Sequence, residues 1–245
     1  ELGTPITVIK GYLEAILDNI QDLDGKWEKP VIQMHQQSSR MENIVKDLLA
    51  LSALETGNPS RKQSSFALIQ LLSEIVNDAR QIFAQQDHQF SLSCDENIKF
   101  IGDRGELYSA IANLVSNAAK YTPYQGKINI LIRLSEDFLE AHVEDNGPGI
   151  EAQHLPRLTE RFYRVDVSRS SETGGTGLGL AIVKHIVNRH DGELTVSSEV
   201  GKGSCFTCRF PLSRVKTDGR DTVAADERAE TPATLMDKLS QASRH

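Results

Sequence analysis

Asn113-Leu-Val-Ser-Asn117-Ala-Ala-Lys120-Tyr121, Asp145-Asn-Gly147-Pro-Gly149-Ile150 and Gly175-Thr176-Gly177-Leu178-Gly179-Leu180 follow one another along the chain, and their order decides the fold. Each offers a different part of a nucleotide site. Asn113 and Asn117 stand four residues apart, so a helix carries both amides on one face. An amide oxygen is a hard ligand suited to Mg2+, which also keeps waters and takes phosphate oxygens. Lys120, about one turn further on, supplies a point charge for phosphate. Asp145 follows a strand, where its carboxylate can accept from the exocyclic amine of adenine. Gly147 and Gly149 let the backbone approach the base. The Gly175 to Gly179 stretch opens a helix, whose free amides favour phosphate.

Taken singly, each segment has a plainer reading: an exposed Asn-rich helix face, an acidic turn, a glycine-rich loop. No Gly-x-x-x-x-Gly-Lys-Ser/Thr element is present, and Gly201-Lys-Gly203-Ser is too short to be one. The strand order also lacks a Rossmann unit with its acidic partner. The three segments together, with Phe162-Tyr-Arg164 between the last two, point to a different nucleotide mode.

Outside these segments the chain divides into four parts. Residues 1–56 read as a helical hairpin. Leu2, Ile6, Ile9, Leu13, Ile16 and Ile20 form a coiled-coil seam, Asp22 to Pro30 breaks it, and Val31, Met34, Met41, Val45, Leu48 and Leu51 continue on a second helix. Ile44 and Leu49 widen the second stripe beyond what one partner helix covers, so a homodimeric four-helix bundle is the natural completion. The alternative is a hairpin packed on the rest of the chain. Residues 57–65 read as a linker rich in Gly, Pro and Ser.

Residues 66–213 read as an α+β sandwich, with three helices on one face of a mixed sheet. A helix is expected from Phe66 to about Asp87, a short strand over Gln89–Cys94, and a helix opened by Asp103. Paired strands follow over Lys127–Leu134 and Phe138–Glu144. A helix over Leu178–His190 precedes a last strand pair across Gly201-Lys-Gly203. The long segment from Asn146 to Gly177 has the length of a functional lid. Residues 214–245, poor in large apolar side chains and rich in charge, are expected to be a disordered tail.

Bulk properties exclude several classes. A net charge of −7 over 245 residues offers no basic surface for nucleic acid or anionic lipid. No apolar run approaches the roughly 20 residues that span a bilayer. The three cysteines, Cys94, Cys205 and Cys208, are too few for a disulfide framework and fit a reducing compartment. Cys205 and Cys208 lie three apart in a strand-like segment, which points them to opposite faces rather than to one metal.

With these elements in order, the chain resembles a sensor histidine kinase of a two-component system. Residues 66–212 resemble its Bergerat (GHKL) ATP-binding domain. Asn113 to Tyr121 resembles the N box, Asp145 to Ile150 the G1 box, Phe162 falls in the F box, and Gly175 to Leu180 resembles the G2 box. Residues 1–56 resemble the dimerisation and histidine phosphotransfer hairpin. Val143-Glu-Asp-Asn-Gly-Pro-Gly-Ile and Leu158-Thr-Glu-Arg-Phe-Tyr-Arg-Val-Asp are similar to the phosphate-regulon branch of the family. The resemblance implies ATP and Mg2+ as cofactors, with Asn117 on the metal and Asn113 beside it. It puts Lys120 and Arg164 on phosphates, Tyr121 in the pocket wall, Asp145 on adenine, and the segment from Asn146 to Thr176 as the lid.

Two departures stand out in Glu1-Leu-Gly3-Thr4-Pro5-Ile, which is similar to the family's H box, His-Glu-Leu-Arg/Lys-Thr-Pro. Gly3 stands in place of the basic residue, and a helical glycine costs about 1 kcal/mol relative to alanine. The phosphoacceptor histidine would immediately precede Glu1, and none of the seven histidines in the chain has an H-box context. The resemblance implies Glu1 as general base and Thr4 as the residue that orients water for dephosphorylating the regulator. The partners it implies are a second copy through residues 1–56 and a response-regulator receiver domain. The expected setting is the cytoplasmic part of a bacterial inner-membrane protein, tethered only through a segment upstream. A dimeric adaptor that docks a regulator without catalysis is the alternative. A mismatch-repair or topoisomerase-like ATPase is a further rival, against which the hairpin and Arg161-Phe-Tyr-Arg164 speak.

Overall fold

The structure, a computed structural model, describes residues 3–18, 28–55, 63–165 and 175–217. Glu1, most of the hairpin loop, most of the linker, the centre of the expected lid and the tail from 218 onward lie outside the described residues.

Helices α1 (Gly3–Asp18) and α2 (Glu28–Glu55) form the hairpin. Leu13 and Val31 are buried, Lys10 pairs with Glu42 at 3.1 Å, and Ser38 Oγ donates to the carbonyl of Ile6. Ile9, Ile16, Met34, Met41 and Leu48 from the two stripes stay exposed, because two helices cannot cover each other's full apolar width. Pro30, expected in the break between the two helices, lies inside the second. It sits in the first turn of α2, where its missing N–H has no intrahelical acceptor to lose.

The rest of the described chain is a layered α+β domain. Its strands and helices are β1 (Ser64–Ala67), α3 (Leu68–Ile82), β2 (Gln89–Ser93), β3 (Ile98–Gly102), α4 (Arg104–Tyr121), β4 (Lys127–Leu134), β5 (Phe138–Asp145), α5 (Gly179–Arg189), β6 (Glu193–Glu199), β7 (Gly203–Pro211) and β8 (Val215–Thr217). The main sheet runs β2-β4-β5-β7-β6. Only β2 and β4 are parallel, so the sheet is mixed as the sequence implied.

The three helices cover one face. From α3 come Leu71, Leu72 and Ile75, from α4 Leu107, Ile111 and Leu114, and from α5 Ile182, Val183 and Ile186. All are buried against Ile128 and Ile130 of β4, Leu139 and Val143 of β5, and Phe206 and Phe210 of β7. Cys208 joins this core while Cys205 points to the opposite face, and both remain free thiols.

A second, three-stranded sheet, β1-β3-β8, was not anticipated. It corrects two boundaries. Phe66 and Ala67 belong to a strand paired with Phe100 and Lys99, not to the start of α3. Val215–Thr217, expected in the tail, pairs with Ile98–Phe100. The cause is the apolar face of β3: Ile98 and Phe100 need cover on both sides, and Phe66 and Val215 give it.

At the far end of α4, Asp103 caps the helix as its sequence context indicated. Its Oδ1 accepts from the amides of Gly105 and Glu106 at 2.9 and 3.0 Å. The same residue's backbone N–H donates to Nε2 of His190 at 3.2 Å, while Nδ1 of that ring lies 2.9 Å from the carbonyl of Ile186. His190 is buried between Phe100 and Phe210 and ties the end of α5 to the start of α4.

Candidate functional site

Helix α4 buries Leu107, Ile111, Leu114 and Ala118, and this rotation turns Asn113, Asn117 and Lys120 to a neighbouring, half-exposed side. The amide nitrogen of Asn113 donates to the carbonyl of Ser109 at 2.9 Å, which leaves its Oδ1 outward. That oxygen meets the first turn of α5, since a Cβ placed on Gly179 would lie 2.8 Å from it. The Asn117 side chain, one turn along, makes no hydrogen bond to another described residue. Two amide oxygens therefore line one edge of the site. Among the described residues no cluster of three His, Cys, Asp or Glu side chains could hold a metal. A hard cation here would rest on amide, phosphate and water oxygens, a donor set that fits Mg2+.

The α5 edge is an amide edge. Leu178, at the N-cap, is fully buried and has no polar side chain to cap with, so it anchors the helix while no side-chain cap takes the first-turn N–H donors. Thr176 Oγ1 accepts from the Leu178 amide at 3.2 Å. Gly177 takes φ +74°, and a Cβ there would lie 2.8 Å from the Cα of Phe162. Phe162 donates its own N–H to the Gly177 carbonyl at 2.9 Å and itself takes φ +64°. An aromatic residue in this region is a backbone outlier of the kind found at functional sites. The Arg164 guanidinium donates to the carbonyl of Gly175. Phe162, Arg164 and the glycine segment thus form one unit, although 12 residues separate Phe162 from Gly175.

The third edge is the end of β5. Asp145 Oδ1 accepts from the Gly147 amide at 2.8 Å, and Gly147 packs against the carbonyl of Tyr121 at the end of α4. Burial pushes the Asp145 carboxyl up from its ordinary range, and the amides of Gly147 and Ser204 offset part of the rise. Gly149 serves the loop rather than this edge: it lies against the carbonyl of Glu199, and the next residue, Ile150, donates to Ser198 Oγ at 2.8 Å. The Tyr121 ring is exposed.

Lys120 is the cation at the centre. Burial lowers its pKa, the Asp47 carboxylate opposes that, and Arg164 adds to it. Asp47, on α2, was not anticipated. Thr176 Oγ1 donates to its Oδ2 at 2.6 Å. Nothing in the heptad pattern shows which side of a hairpin helix a second domain will meet. Thr4 lies in the first turn of α1, in the other module, and Glu1 lies outside the described residues. An open groove on α3, lined by Ile69, Gln70, Ser73, Glu74, Asn77 and Asp78, contains none of the site residues.

Residues 102–214 match the family of histidine kinase-, DNA gyrase B- and HSP90-like ATPases, and residues 1–57 match the His kinase A (phospho-acceptor) domain. The chain belongs to the sensor histidine kinases. Among relatives of this kinase family, the phosphate regulon sensor protein PhoR of Pseudomonas aeruginosa is 49% identical over 215 residues, covering 88% of this chain and 48% of that protein. PhoR of Haemophilus influenzae is 40% identical over 212 residues, covering 86% and 49%. The chain thus spans about half the length of the curated relatives it matches. Full-length ShkA, solved in complex with AMPPNP, shares the fold at a TM-score of 0.70 and 22% identity, over 89% of this chain and 44% of ShkA. No helix among the described residues of this kinase core is long and apolar enough to cross a membrane.

Proposed function

We propose that the chain is the core of a sensor kinase that binds Mg-ATP and transfers its γ-phosphoryl group to a histidine placed immediately before Glu1. From there the group passes to an aspartate of a response regulator. The observation that carries this reading is the convergence of three edges: amide oxygens on α4, free amides at the start of α5, and the half-buried carboxylate at the end of β5.

Asn117 would hold Mg2+ with Asn113 beside it, Lys120 and Arg164 face phosphate, the Gly175 to Gly179 turn lies along it, and Asp145 reads adenine. Bound Mg2+ would neutralise charge on the phosphates. The acceptor imidazole attacks the γ-phosphorus, the bond to the β-phosphate oxygen breaks, ADP leaves, and Glu1 takes the imidazole proton. Catalysis in this scheme is positioning and charge stabilisation. Thr4 orients water for the reverse duty, dephosphorylation of the regulator. The exposed stripes of α1 and α2 pair with a second copy in a four-helix bundle. The names of the relatives support a role in signalling phosphate supply, with the core on the cytoplasmic side of a bacterial inner membrane.

The test is Mg-ATP binding and phosphate incorporation on residues 1–245 and on a chain carrying a histidine before Glu1. Both chains should bind Mg-ATP, and the extended chain alone should become acid-labile phosphorylated. Asn117→Ala should weaken Mg-ATP binding by more than about tenfold, as loss of a metal ligand does. If parent and Asn117→Ala fail alike to bind Mg-ATP while a receiver domain still docks, the adaptor reading replaces the kinase.

A further inference from the structure

One face of α2 closes over the site just described. Asp47, Leu51, Leu54 and Glu55 recur at spacings of four, three and one, which places them along one side of the helix. Leu51 is 3% exposed and belongs to the apolar core of the α+β domain, with Leu54 packed against that core. The carbonyl of Leu54 accepts from Nη1 of Arg189 at 2.8 Å, and Glu55 pairs with Arg161, next to Phe162. Anchored at these points, the helix delivers Asp47 to the phosphate edge. There Thr176 donates to its carboxylate at 2.6 Å, and Lys120 lies within its field.

Carboxylate and phosphate oxygens are alternative acceptors for the same donors. Asp47 takes the hydroxyl of Thr176, in the turn that the proposed function lays along the ATP phosphates, and its charge acts on Lys120, which that reading turns to phosphate; it does so from a different module. We propose that Asp47 is an internal phosphate mimic, so that docking of the nucleotide face on α2 and loading of ATP exclude one another. The proposal rests on the phosphate-facing reading of Lys120 and of the Gly175 to Gly179 turn.

The ionic part of the latch costs little to open, while burial of Leu51 sets most of the cost of undocking. The Arg161–Glu55 pair is about half exposed on both sides, and such pairs contribute little. If the docked form held about 90% of the population, the apparent Kd for ATP would rise about tenfold over that of the open form. Any input that rotates or shifts α2 against α5 would withdraw Asp47 and raise ATP affinity without touching a nucleotide ligand.

The experiment is calorimetric titration of the full chain and of Asp47→Asn, Asp47→Ala and Asn117→Ala with Mg-ATP and, separately, with adenosine. Circular dichroism verifies the fold of each variant. Both Asp47 variants should bind Mg-ATP about 5- to 10-fold tighter and leave adenosine affinity within twofold of the parent, because adenosine carries no group that competes with the carboxylate. If Asn117→Ala binds Mg-ATP more weakly than the parent but neither Asp47 variant tightens it, the mimic is refuted and the kinase reading stands. Equal tightening of Mg-ATP and adenosine would make Asp47 a steric cover, not a phosphate mimic. If no chain binds Mg-ATP, the kinase reading and the mimic fall together.

Discussion

Gly179, the first residue of α5, leaves no room for a side chain beside Asn113 of α4: a Cβ there would lie 2.8 Å from Asn113 Oδ1. The obstacle is the far end of a rotatable side chain, so an added methyl displaces the amide rather than the backbone. Gly179→Ala should therefore fold normally, with a gain of up to about 1 kcal/mol from helix propensity. It should nevertheless bind Mg-ATP about 5- to 10-fold more weakly on the proposed reading, in which the displaced oxygen borders Mg2+. Thermal melts and calorimetric titration separate the two effects. A variant that binds like the parent would remove Asn113 Oδ1 from the site.

Gly177→Ala should behave in the opposite way. Its φ of +74° and the Phe162 backbone 2.8 Å from a Cβ leave no rotatable group to yield. The Gly177–Phe162 hydrogen bond should open and the loop detach from the start of α5, which hydrogen exchange at the Phe162 amide would report. Loss of protection there by less than about tenfold would show that the loop tolerates the methyl.

The pH dependence of nucleotide binding should be bounded on both sides. Burial raises the Asp145 pKa and lowers that of Lys120. As pH falls, Asp145 takes up its proton earlier than an ordinary aspartate and, in the proposed role, ceases to be a full acceptor for the adenine amine. As pH rises, Lys120 gives up its proton earlier than an ordinary lysine and, in the proposed role, loses its charge toward phosphate. Mg-ATP affinity should fall at both ends, and Asp145→Asn should remove the acid limb while leaving the alkaline one. An acid limb that persists unchanged in Asp145→Asn would assign it to another group.

Much of this site could be read from sequence because its parts are local. Spacings of four and three on one helix put Asn113, Asn117 and Lys120 together, and Gly175 to Gly179 announces a helix start. The strand pair at β4–β5 and the hairpin at β6–β7 follow from alternation and turn residues. What escaped was non-local. β3 is five residues long and gains meaning only from Phe66 and Val215, which come from distant parts of the chain. Phe162 meets Gly177 through a backbone hydrogen bond that no side-chain pattern encodes. Asp47 looks like one more charge on a solvated helix until the α+β domain is placed against it.

The thiols should be poor nucleophiles in the native state. Burial pushes Cys208 up to about 12, and burial with the nearby Asp95 charge pushes Cys94 up to about 11. At pH 8 a thiol of pKa near 11 is thiolate in only about one molecule in a thousand. Iodoacetamide at pH 8 should leave Cys208 unmodified and label Cys94 slowly, with both reacting at once in urea. Peptide mass spectrometry reads this directly, and fast native labelling of Cys208 would place it outside the core.

His190 should be the most costly single polar side chain to remove from the helix layer. Its ring fills space between Phe100 and Phe210, at centroid distances of 5.7 and 6.4 Å, and a Cβ on Gly102 would lie 2.7 Å from it. The ring accepts from the Asp103 amide at one nitrogen and meets the Ile186 carbonyl at the other. His190→Ala opens a cavity and leaves the part-buried Asp103 amide without its partner, while the Ile186 carbonyl keeps its bond from the backbone N–H of residue 190, a combined loss of about 3 kcal/mol. For a domain of this size that corresponds to a fall in Tm of roughly 6–12 °C. Asn113 and Asn117 lie more than two turns beyond the Asp103 cap, so at 10 °C the variant should bind Mg-ATP within about twofold of the parent. A fall in Tm under about 2 °C would mean that water replaces both ring contacts without loss.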